Sequence, residues 1–349
     1  MNSERIFLTQ DYSISRVING GWQLSDGHAL EQTIDRAPLI DTFNQLADDG
    51  FTTFDCADIY TGVEALLGQF IAKRKAMLGY DDIEVHTKFV PDLAQLHQID
   101  YRYVERIIHR SLQRLNKELL DLVQLHWWDY DIAGCLTIAD ALMQLQKKGL
   151  IAHLGTTNFD THHLKQLVEA GYPLVSNQVQ YSVLDRRPER EMVQFCQKNN
   201  VSLLCYGTLA GGFLSERYLG QRAPTARLEN RSLVKYQLVI EDSLGWEGYQ
   251  ALLNLLKQMA ERYQCDIANV ASAYMLQKEA VAAVIIGTRS ARHIAANKRL
   301  RQVSLLKDDI SAIEQFLAQF PTLEGEPFAL ERLMGSKHRN IMKMNLSEA

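Results

Sequence analysis

Residues 50–64 read GFTTFDCADIYTGVE, a stretch in which a short apolar run ends in Asp55 and Tyr60 follows five residues later. A carboxylate and a phenol behind one strand are compatible with an ordinary surface turn. They become informative if neighbouring strands also end in ionisable side chains, because the strand ends of α/β folds meet around ligand sites. The interpretation of this stretch therefore depends on the other apolar runs.

Short runs rich in Val, Ile, Leu and Phe alternate with longer stretches of helical period along the whole chain. The predicted strands are 16–20, 50–55, 82–88, 120–126, 150–157, 173–178, 201–206 and 282–287. The predicted helices are 37–48, 63–77, 101–117, 137–148, 160–170, 187–199, 249–263, 267–277 and 290–302. This alternation is typical of βα units, and eight of them predict an α/β fold of the (β/α)8 TIM barrel type. A doubly wound sheet is the alternative, but no G-x-G-x-x-G follows the first strand.

Three segments depart from the βα pattern. Residues 5–17, RIFLTQDYSISRV, predict a hairpin that closes the barrel floor. Residues 207–245 show little periodicity and predict a long loop, a feature that is usually functional or mobile in compact domains. No linker divides the chain, so we predict a single domain over residues 1–320 and a C-terminal extension over residues 321–349.

Composition and charge exclude several classes of protein. The chain has 37 Lys+Arg, 42 Asp+Glu and a net charge of -5 without a dense basic block, so nucleic acid is not a predicted partner. No apolar run reaches the roughly 18 residues that span a bilayer, and the start lacks a signal-peptide pattern. The five cysteines form no C-x-x-C pair, which indicates reduced thiols. We expect a soluble, cytoplasmic protein without a membrane partner, and the sequence does not predict its oligomeric state.

Ionisable side chains stand at the ends of three consecutive predicted strands. Asp55 ends the second strand with Tyr60 just beyond, Lys88 ends the third and His126 ends the fourth. A single such residue is usually an ordinary surface or core side chain. Because the loops at the carboxyl ends of barrel strands converge over one cavity, the four together predict one catalytic site.

The chemistry of this set is that of a supported acid. A free tyrosine has a pKa of about 10, and an adjacent ammonium lowers that value by stabilising the phenolate. Lys88 would act in this way on Tyr60, while Asp55 would keep the lysine charged and oriented. His126 would hold a substrate oxygen by a hydrogen bond or pass on a proton. His162 and His163 have no further ligand at useful spacing, so no metal site is predicted.

The motifs around these residues resemble those of the aldo-keto reductases, in the family's order over residues 5 to 305. They are GFTTFDCADIYTGVE (50–64), HTKF (86–89), LVQLHWWD (122–129), LGTTNFD (154–160), SNQVQYS (176–182), YGTLAGGFL (206–214) and VIIGTRSARHIAAN (284–297). The resemblance implies a metal-free barrel that reduces carbonyls with NADPH. It also implies that Tyr60 is the general acid, that Lys88 and Asp55 support it, and that His126 orients the carbonyl.

The resemblance further implies a coenzyme site built from the later strand ends. Thr157, Asn158 and Gln178 would fix the nicotinamide carboxamide, and Tyr206 would stack on its ring, although Asn158 taken alone reads as a helix cap. The pyrophosphate would lie under a strap with the backbone amides of Gly207, Leu209 and Gly211. The segment Gly287, Thr288, Arg289 and Ser290 opens a helix and would bind the 2′-phosphate of NADPH, with Asn297 toward the adenine. Ile286 and Ala296 depart from the family pattern, so NADH use stays open.

Aromatic residues beside the catalytic positions predict the substrate side. Trp22 and Trp127 occupy places that wall the carbonyl pocket in the family, whereas Trp128 serves equally well as a cap on the core. Such a cavity favours small aldehydes, aryl ketones or quinone-like compounds over highly charged substrates. The leading hypothesis is an NADPH-dependent carbonyl reductase. The alternatives are an NAD-linked sugar, alcohol or pyridoxal-type dehydrogenase and a coenzyme-binding regulatory subunit.

Overall fold

Eight parallel strands close into a barrel in the computed structural model, which describes residues 4–28, 35–36, 38–225, 228–288, 291–342 and 344. Two short strands precede the barrel, β1 (Arg5–Phe7) and β2 (Ser13–Ser15). The barrel strands are β3 (Val17–Gly20), β4 (Thr53–Asp55), β5 (Glu84–Phe89), β6 (Leu120–Leu125), β7 (Ile151–Thr157), β8 (Leu174–Gln180), β9 (Ser202–Tyr206) and β10 (Val281–Gly287). Their order around the barrel follows the chain, and β10 pairs with β3 to close it. The predicted (β/α)8 fold is confirmed.

Helices surround the barrel. They are α1 (Leu39–Asp48), α2 (Val63–Leu78), α3 (Tyr101–Leu115), α4 (Cys135–Lys147), α5 (Thr161–Glu169), α6 (Met192–Lys198), α7 (Arg231–Asp242), α8 (Gly245–Arg262), α9 (Ile267–Leu276), α10 (Ile294–Leu300), α11 (Lys307–Leu317), α12 (Ala329–Arg332) and α13 (Lys337–Asn340). The last two of these, α12 and α13, belong to the C-terminal extension. In α3 the residues at helical spacing, including Ile108 and Leu112, are buried against the barrel. No helix among the described residues is long and apolar enough to cross a membrane.

The hairpin predicted at the start of the chain is confirmed as an antiparallel pair of β1 and β2. Leu8, Tyr12 and Ile14 of this hairpin belong to one buried cluster with Leu122 and Leu204, which point into the barrel from β6 and β9. The hairpin therefore closes the amino-terminal end of the barrel with apolar side chains. The opposite end stays open as a cavity.

Strand β5 carries three polar side chains on the face that points into the barrel, because successive residues of a strand point to opposite faces. Glu84 accepts a hydrogen bond from Arg5 at the floor, His86 bonds to Tyr12 of the hairpin, and Lys88 reaches the cavity at the mouth. One strand thus joins the closed end to the open end through titratable groups.

The prediction of a continuous loop over residues 207–245 is wrong in its second half, where α7 forms. Asn230 caps this helix by accepting a hydrogen bond from the amide of Leu233, and Leu233, Tyr236 and Ile240 are buried. Their spacing of three and four residues is the ordinary signature of an amphipathic helix. The many polar residues between them obscured that period in the sequence.

The C-terminal extension packs across the open end of the barrel. Arg190 donates to the carbonyls of Leu323 and Gly325, and the carboxylate of Glu326 accepts from the hydroxyl of Thr161. Further along, the backbone carbonyl of Met344 accepts from the amide of Leu93, beyond β5. The extension therefore contacts loops on several sides of the mouth, while the boundary at residue 320 stays a prediction.

Candidate active site

The carboxyl ends of the strands border a cavity of about 740 Å³. Its lining includes the four predicted catalytic residues Asp55, Tyr60, Lys88 and His126. It also includes the predicted binding residues Trp22, Thr157, Asn158, Gln178, Tyr206, Gly207, Leu209, Gly211, Gly287 and Asn297. A cavity of this size is in the range of small-molecule sites, and its lining runs from β4 to α10.

Lys88 and Asp55 form a buried ion pair at the base of the cavity. The lysine Nζ lies 2.7 Å from Asp55 Oδ2 and 2.9 Å from Asp55 Oδ1, and it also donates to the carbonyl of Cys56 at 2.8 Å. Burial works against the charge of Lys88, but the carboxylate and Tyr60 raise its pKa above the ordinary value. Lys88 is therefore a charged side chain held in one position.

Tyr60 stands above this ion pair, with its ring centroid 4.9 Å from Lys88 Nζ. Trp22 packs against the other side of the phenol, 5.0 Å away between ring centroids. Burial raises the pKa of Tyr60, and Lys88 acts in the opposite direction without overcoming it. The expected net lowering of this pKa is therefore not found, because the enclosed site disfavours the phenolate more than the ammonium favours it. The phenol keeps its proton at neutral pH.

His126 lies at the end of β6 with one ring nitrogen directed at the backbone. Its Nδ1 is 3.2 Å from the carbonyl oxygen of Thr157, and because a carbonyl only accepts, Nδ1 carries the hydrogen. Burial, followed by the charge of Arg332, lowers the pKa of His126 to about 3. The ring is neutral, and its buried Nε2 has no hydrogen-bond partner among the described residues. In this tautomer Nε2 accepts a hydrogen bond and cannot donate one to a carbonyl oxygen.

Two glutamines complete the polar layer below the cavity. Gln178 donates from Nε2 to Asp55 at 2.6 Å and to Gln124 at 3.1 Å. Gln124 in turn lies 3.5 Å from Asp55. The predicted carboxamide ligand Gln178 thus lines the cavity and at the same time orients the carboxylate. The sequence did not indicate this second contact, because it joins β8 to β4 across the barrel.

The predicted nicotinamide platform is held by a neighbouring strand end. The hydroxyl of Tyr206 donates to Asn158 Oδ1 at 2.8 Å, which fixes the ring at the cavity wall. The cap of α5 is Asp160, whose carboxylate accepts from the amide of His163, so the helix-cap interpretation of Asn158 is wrong. Asn158 is free of that role and connects the two strand ends.

The start of the strap beyond β9 requires a glycine. Gly207 has a φ of 79°, and a Cβ at this position would lie 2.3 Å from the hydroxyl of Tyr236 in α7. Any larger residue would displace the tyrosine or the strap. Gly207, Leu209 and Gly211 therefore lie along the cavity over a base that α7 provides.

The phosphate end of the predicted site is described only in part. Gly287 and Asn297 border the cavity, whereas Thr288 does not, since its buried side chain lies 3.5 Å from the carbonyl oxygen of Gly20. The assignment of Thr288 to the 2′-phosphate is thus not supported by its position. Arg289 and Ser290 lie outside the described residues.

The two neighbouring tryptophans have different positions. Trp127 is fully buried, donates from Nε1 to the carbonyl of Ile132 and does not border the cavity, so its position does not support the predicted substrate contact. Trp128 borders the cavity instead and meets His126 edge to face at 4.2 Å. The side chains of adjacent residues point in different directions, and the sequence alone did not show which one faces the pocket.

Several residues that line the cavity or support its wall come from segments that carry no strand-end motif. Phe328 packs 5.4 Å from the ring of His126, and Lys235 lies 5.2 Å from the ring of Tyr206. Arg332 donates to the carbonyls of Trp127 and Asn158, each at 2.9 Å. The helical period of α7 could have indicated Lys235. No motif in the extension indicates Phe328 or Arg332.

Two cysteines beside the site residues are shielded from solvent. Cys56 and Cys205 are fully buried, and burial raises the pKa of both thiols. They are therefore protonated and shielded, which argues against oxidation sensitivity. Within the described residues, no group of three His, Cys, Asp or Glu side chains is placed to bind a metal ion.

Comparison with known proteins identifies relatives of this chain. The family model described as the Aldo/keto reductase family matches residues 16–318. The NADH-specific methylglyoxal reductase of Escherichia coli is 24% identical over 330 residues, covering 88% of this chain and 96% of the relative. The chloroplastic pyridoxal reductase of Arabidopsis thaliana is 28% identical over 315 residues, covering 86% of this chain and 80% of the relative.

A solved structure shares the fold. The glycerol dehydrogenase of Gluconobacter oxydans superposes with a TM-score of 0.77 at 23% identity, covering 93% of this chain and all of that one. At this identity the likeness concerns the fold alone. With the family model matching most of the chain, the conclusion is that this chain belongs to the Aldo/keto reductase family.

Proposed function

We propose that the protein is an oxidoreductase that reduces an aldehyde or ketone to an alcohol with a nicotinamide coenzyme, and that Tyr60 is its general acid. The observation that carries the proposal is the convergence of Tyr60, Lys88, Asp55 and His126 on one cavity. The phenol keeps its proton, the ammonium beside it is charged, and the cavity extends toward residues suited to a dinucleotide.

The roles of the four residues follow from their contacts. A bound coenzyme would supply the hydride. Tyr60 donates its proton to the carbonyl oxygen, and Lys88, fixed 2.7 Å from Asp55, stabilises the phenolate that is left. His126 accepts at Nε2 and so holds the hydroxyl group of the alcohol, while its Nδ1 stays bound to Thr157. Trp22 and Trp128 enclose the reacting group.

The coenzyme would be held by residues along the cavity wall. Tyr206 offers a flat ring, Thr157, Asn158 and Gln178 offer amide and hydroxyl groups, and Gly207 begins the strap. We propose NADPH as the coenzyme, with NADH as the alternative, since one relative is named as NADH-specific. A cytoplasmic location likewise stays a prediction.

The test is a set of small aldehydes, aryl ketones and quinones offered with NADPH and with NADH, followed through the absorbance of the reduced coenzyme. Turnover of at least one carbonyl class with either coenzyme supports the proposal. Tight coenzyme binding with no turnover of any carbonyl, and no oxidation of the matching alcohols, would instead favour a regulatory subunit.

A further inference from the structure

Helix α7 turns a positively charged face toward the cavity. Arg231 and Lys235 are four residues apart, so they lie on the same side of the helix, and both border the cavity. The helix is fixed in place at this end. The amide of Arg231 approaches the carbonyl of His28, and Ser232 Oγ lies 2.9 Å from His28 Nε2.

This face lies close to the catalytic residues. Phe328 is placed between them, with its ring centroid 5.4 Å from that of His126 and 5.7 Å from Lys235 Nζ. On the other side, His28 meets Trp22 edge to face at 5.5 Å, and Trp22 contacts Tyr60. A substrate whose carbonyl meets Tyr60 would therefore extend toward α7 past the ring of Phe328.

Lys235 belongs to a charge-balanced cluster, but its ammonium group is not fully engaged by anionic partners. Lys235 Nζ lies 2.9 Å from Glu331, and Arg187 is held by Asp185 at 2.6 Å and lies 3.6 Å from Glu331. Two cations thus face two carboxylates in this cluster. An ammonium has three hydrogens, and among the described residues Glu331 is its one anionic partner. Its Nζ also lies 5.2 Å from the ring centroid of Tyr206 and 5.7 Å from that of Phe328.

Arg231 adds a charge that the described part of the chain does not balance. Its Nη1 donates to the carbonyl of Ile341 at 2.8 Å, and among the described residues it forms no ion pair with a carboxylate. Its Nε is buried without a hydrogen-bond partner among the described residues. The other acidic residues along the cavity are engaged, Asp55 with Lys88, Glu216 with the amide of Ile267, Glu229 with Arg217 and Asp266 with Arg299. A buried guanidinium N–H without an acceptor is costly, so this edge of Arg231 is suited to an anionic ligand in the cavity.

We propose that Arg231 and Lys235 bind an anionic group, a carboxylate in the simplest case, on the substrate whose carbonyl meets Tyr60. The inference rests on the proposed function and narrows its substrate class to aldehydes and ketones that carry a negative charge about one ring length from the carbonyl. The same chemistry would also suit the coenzyme pyrophosphate, so the experiment separates the two sources.

The test compares 4-carboxybenzaldehyde with its neutral methyl ester, methyl 4-formylbenzoate, under the same coenzyme. The wild-type kcat/KM should favour the carboxylate by about tenfold or more, since a hydrogen bond to a charged group is worth that factor. Lys235→Met and Arg231→Gln should each bring the ratio toward one, and Lys235→Arg should keep it. Lys257→Met, which removes a cation of α8 that pairs with Glu261, is the matched control and should keep the wild-type ratio.

Binding measurements keep this inference distinct from the proposed function. Quenching of tryptophan fluorescence by 4-carboxybenzyl alcohol and by its methyl ester reports the same preference without turnover. Charge-selective binding without turnover would refute the proposed function and support the anion site. A ratio near one in the wild type would overturn the anion site, as would variants that weaken coenzyme binding while the substrate ratio stays unchanged.

Discussion

Lys88 and His86 point into the same barrel from the same strand, two residues apart, yet the protein treats them in opposite ways. At the open end, burial of Lys88 is offset by Asp55, and its pKa rises. At the closed end, burial of His86 has no carboxylate to offset it, and its pKa falls to about 3. A charge survives inside this barrel only where a fixed counter-charge accompanies it.

The two residues also differ in their access to a ligand, because Lys88 lies at the cavity and His86 is enclosed. The hairpin covers His86 with the hydroxyl of Tyr12 at 3.0 Å and with apolar side chains, so no ligand can reach it. Lys88 faces a cavity and carries the phenol of Tyr60 above it. If this comparison is correct, equivalent substitutions at the two ends will have unequal effects.

The largest effect is expected from the two tyrosines. Tyr60→Phe removes the acid and should lower kcat by about 10²–10⁴-fold, with coenzyme affinity retained. Tyr12→Phe, its match at the closed end, should leave kcat close to the wild type. Steady-state kinetics and coenzyme titration measure both. Comparable losses in the two variants would contradict the separation of the ends.

The next effect concerns stability. Lys88→Met leaves the buried Asp55 without its cation and should lower the free energy of unfolding by about 3–5 kcal/mol. Adding Asp55→Asn should recover part of that loss but not activity. His86→Leu only deprives the Tyr12 hydroxyl of its partner, at a cost of about 1–3 kcal/mol. Denaturant unfolding ranks the three variants, and an Asp55→Asn addition without any recovery would exclude the ion-pair explanation.

Acid should destabilise the protein through its neutral histidines. His86 and His126 have pKa values of about 3, below the unfolded value near 6.5, so the unfolded chain binds more protons between these limits. Stability is complete above pH 6.5 and falls as the pH falls, by up to about 1.4 kcal/mol per pH unit for each histidine. His86→Leu should make this dependence shallower. Unfolding midpoints between pH 7 and 4 provide the measurement.

The smallest expected effect is that of pH on activity, which should not change around neutral pH. Because His126 stays neutral and Tyr60 keeps its proton, kcat/KM for reduction should be flat from about pH 6 to pH 9 in the free enzyme. It should fall only as the pH rises through the raised pKa of Tyr60. An inflection near pH 6.5 that disappears in His126→Gln would show that this ring titrates at the site.

Much of the site was predictable because barrel strand ends must meet. Asp55, Lys88 and His126 end consecutive strands, and the closed parallel order brings them together whatever the details of the loops. The prediction failed where a contact depends on side-chain direction. Trp127 turned into the core and Trp128 toward the cavity, a choice that packing against Ile132 and His126 makes.

The net effect of burial on the pKa of Tyr60 could not be predicted from the sequence either. An ammonium beside a phenol suggests a lowered pKa, but the enclosure of Tyr60 by Trp22 and the surrounding walls outweighs that charge. The sequence also does not show which ring nitrogen of His126 carries the hydrogen. In the structure Nδ1 lies 3.2 Å from the carbonyl oxygen of Thr157 and therefore donates to it. The pKa of Tyr60 and the tautomer of His126 depend on distances and desolvation, which arise from residues far apart in the sequence.

The sequence by itself determined the repeated βα pattern, the hairpin at the floor and the polar residues at the strand ends, because these follow from periodicity and from the geometry of parallel strands. Only the tertiary structure decided that α7 and the extension complete the cavity. Phe328 and Lys235 reach it from segments distant along the chain, and Arg332 of the extension holds the carbonyl of Asn158 beside it, through contacts that form once the barrel has closed.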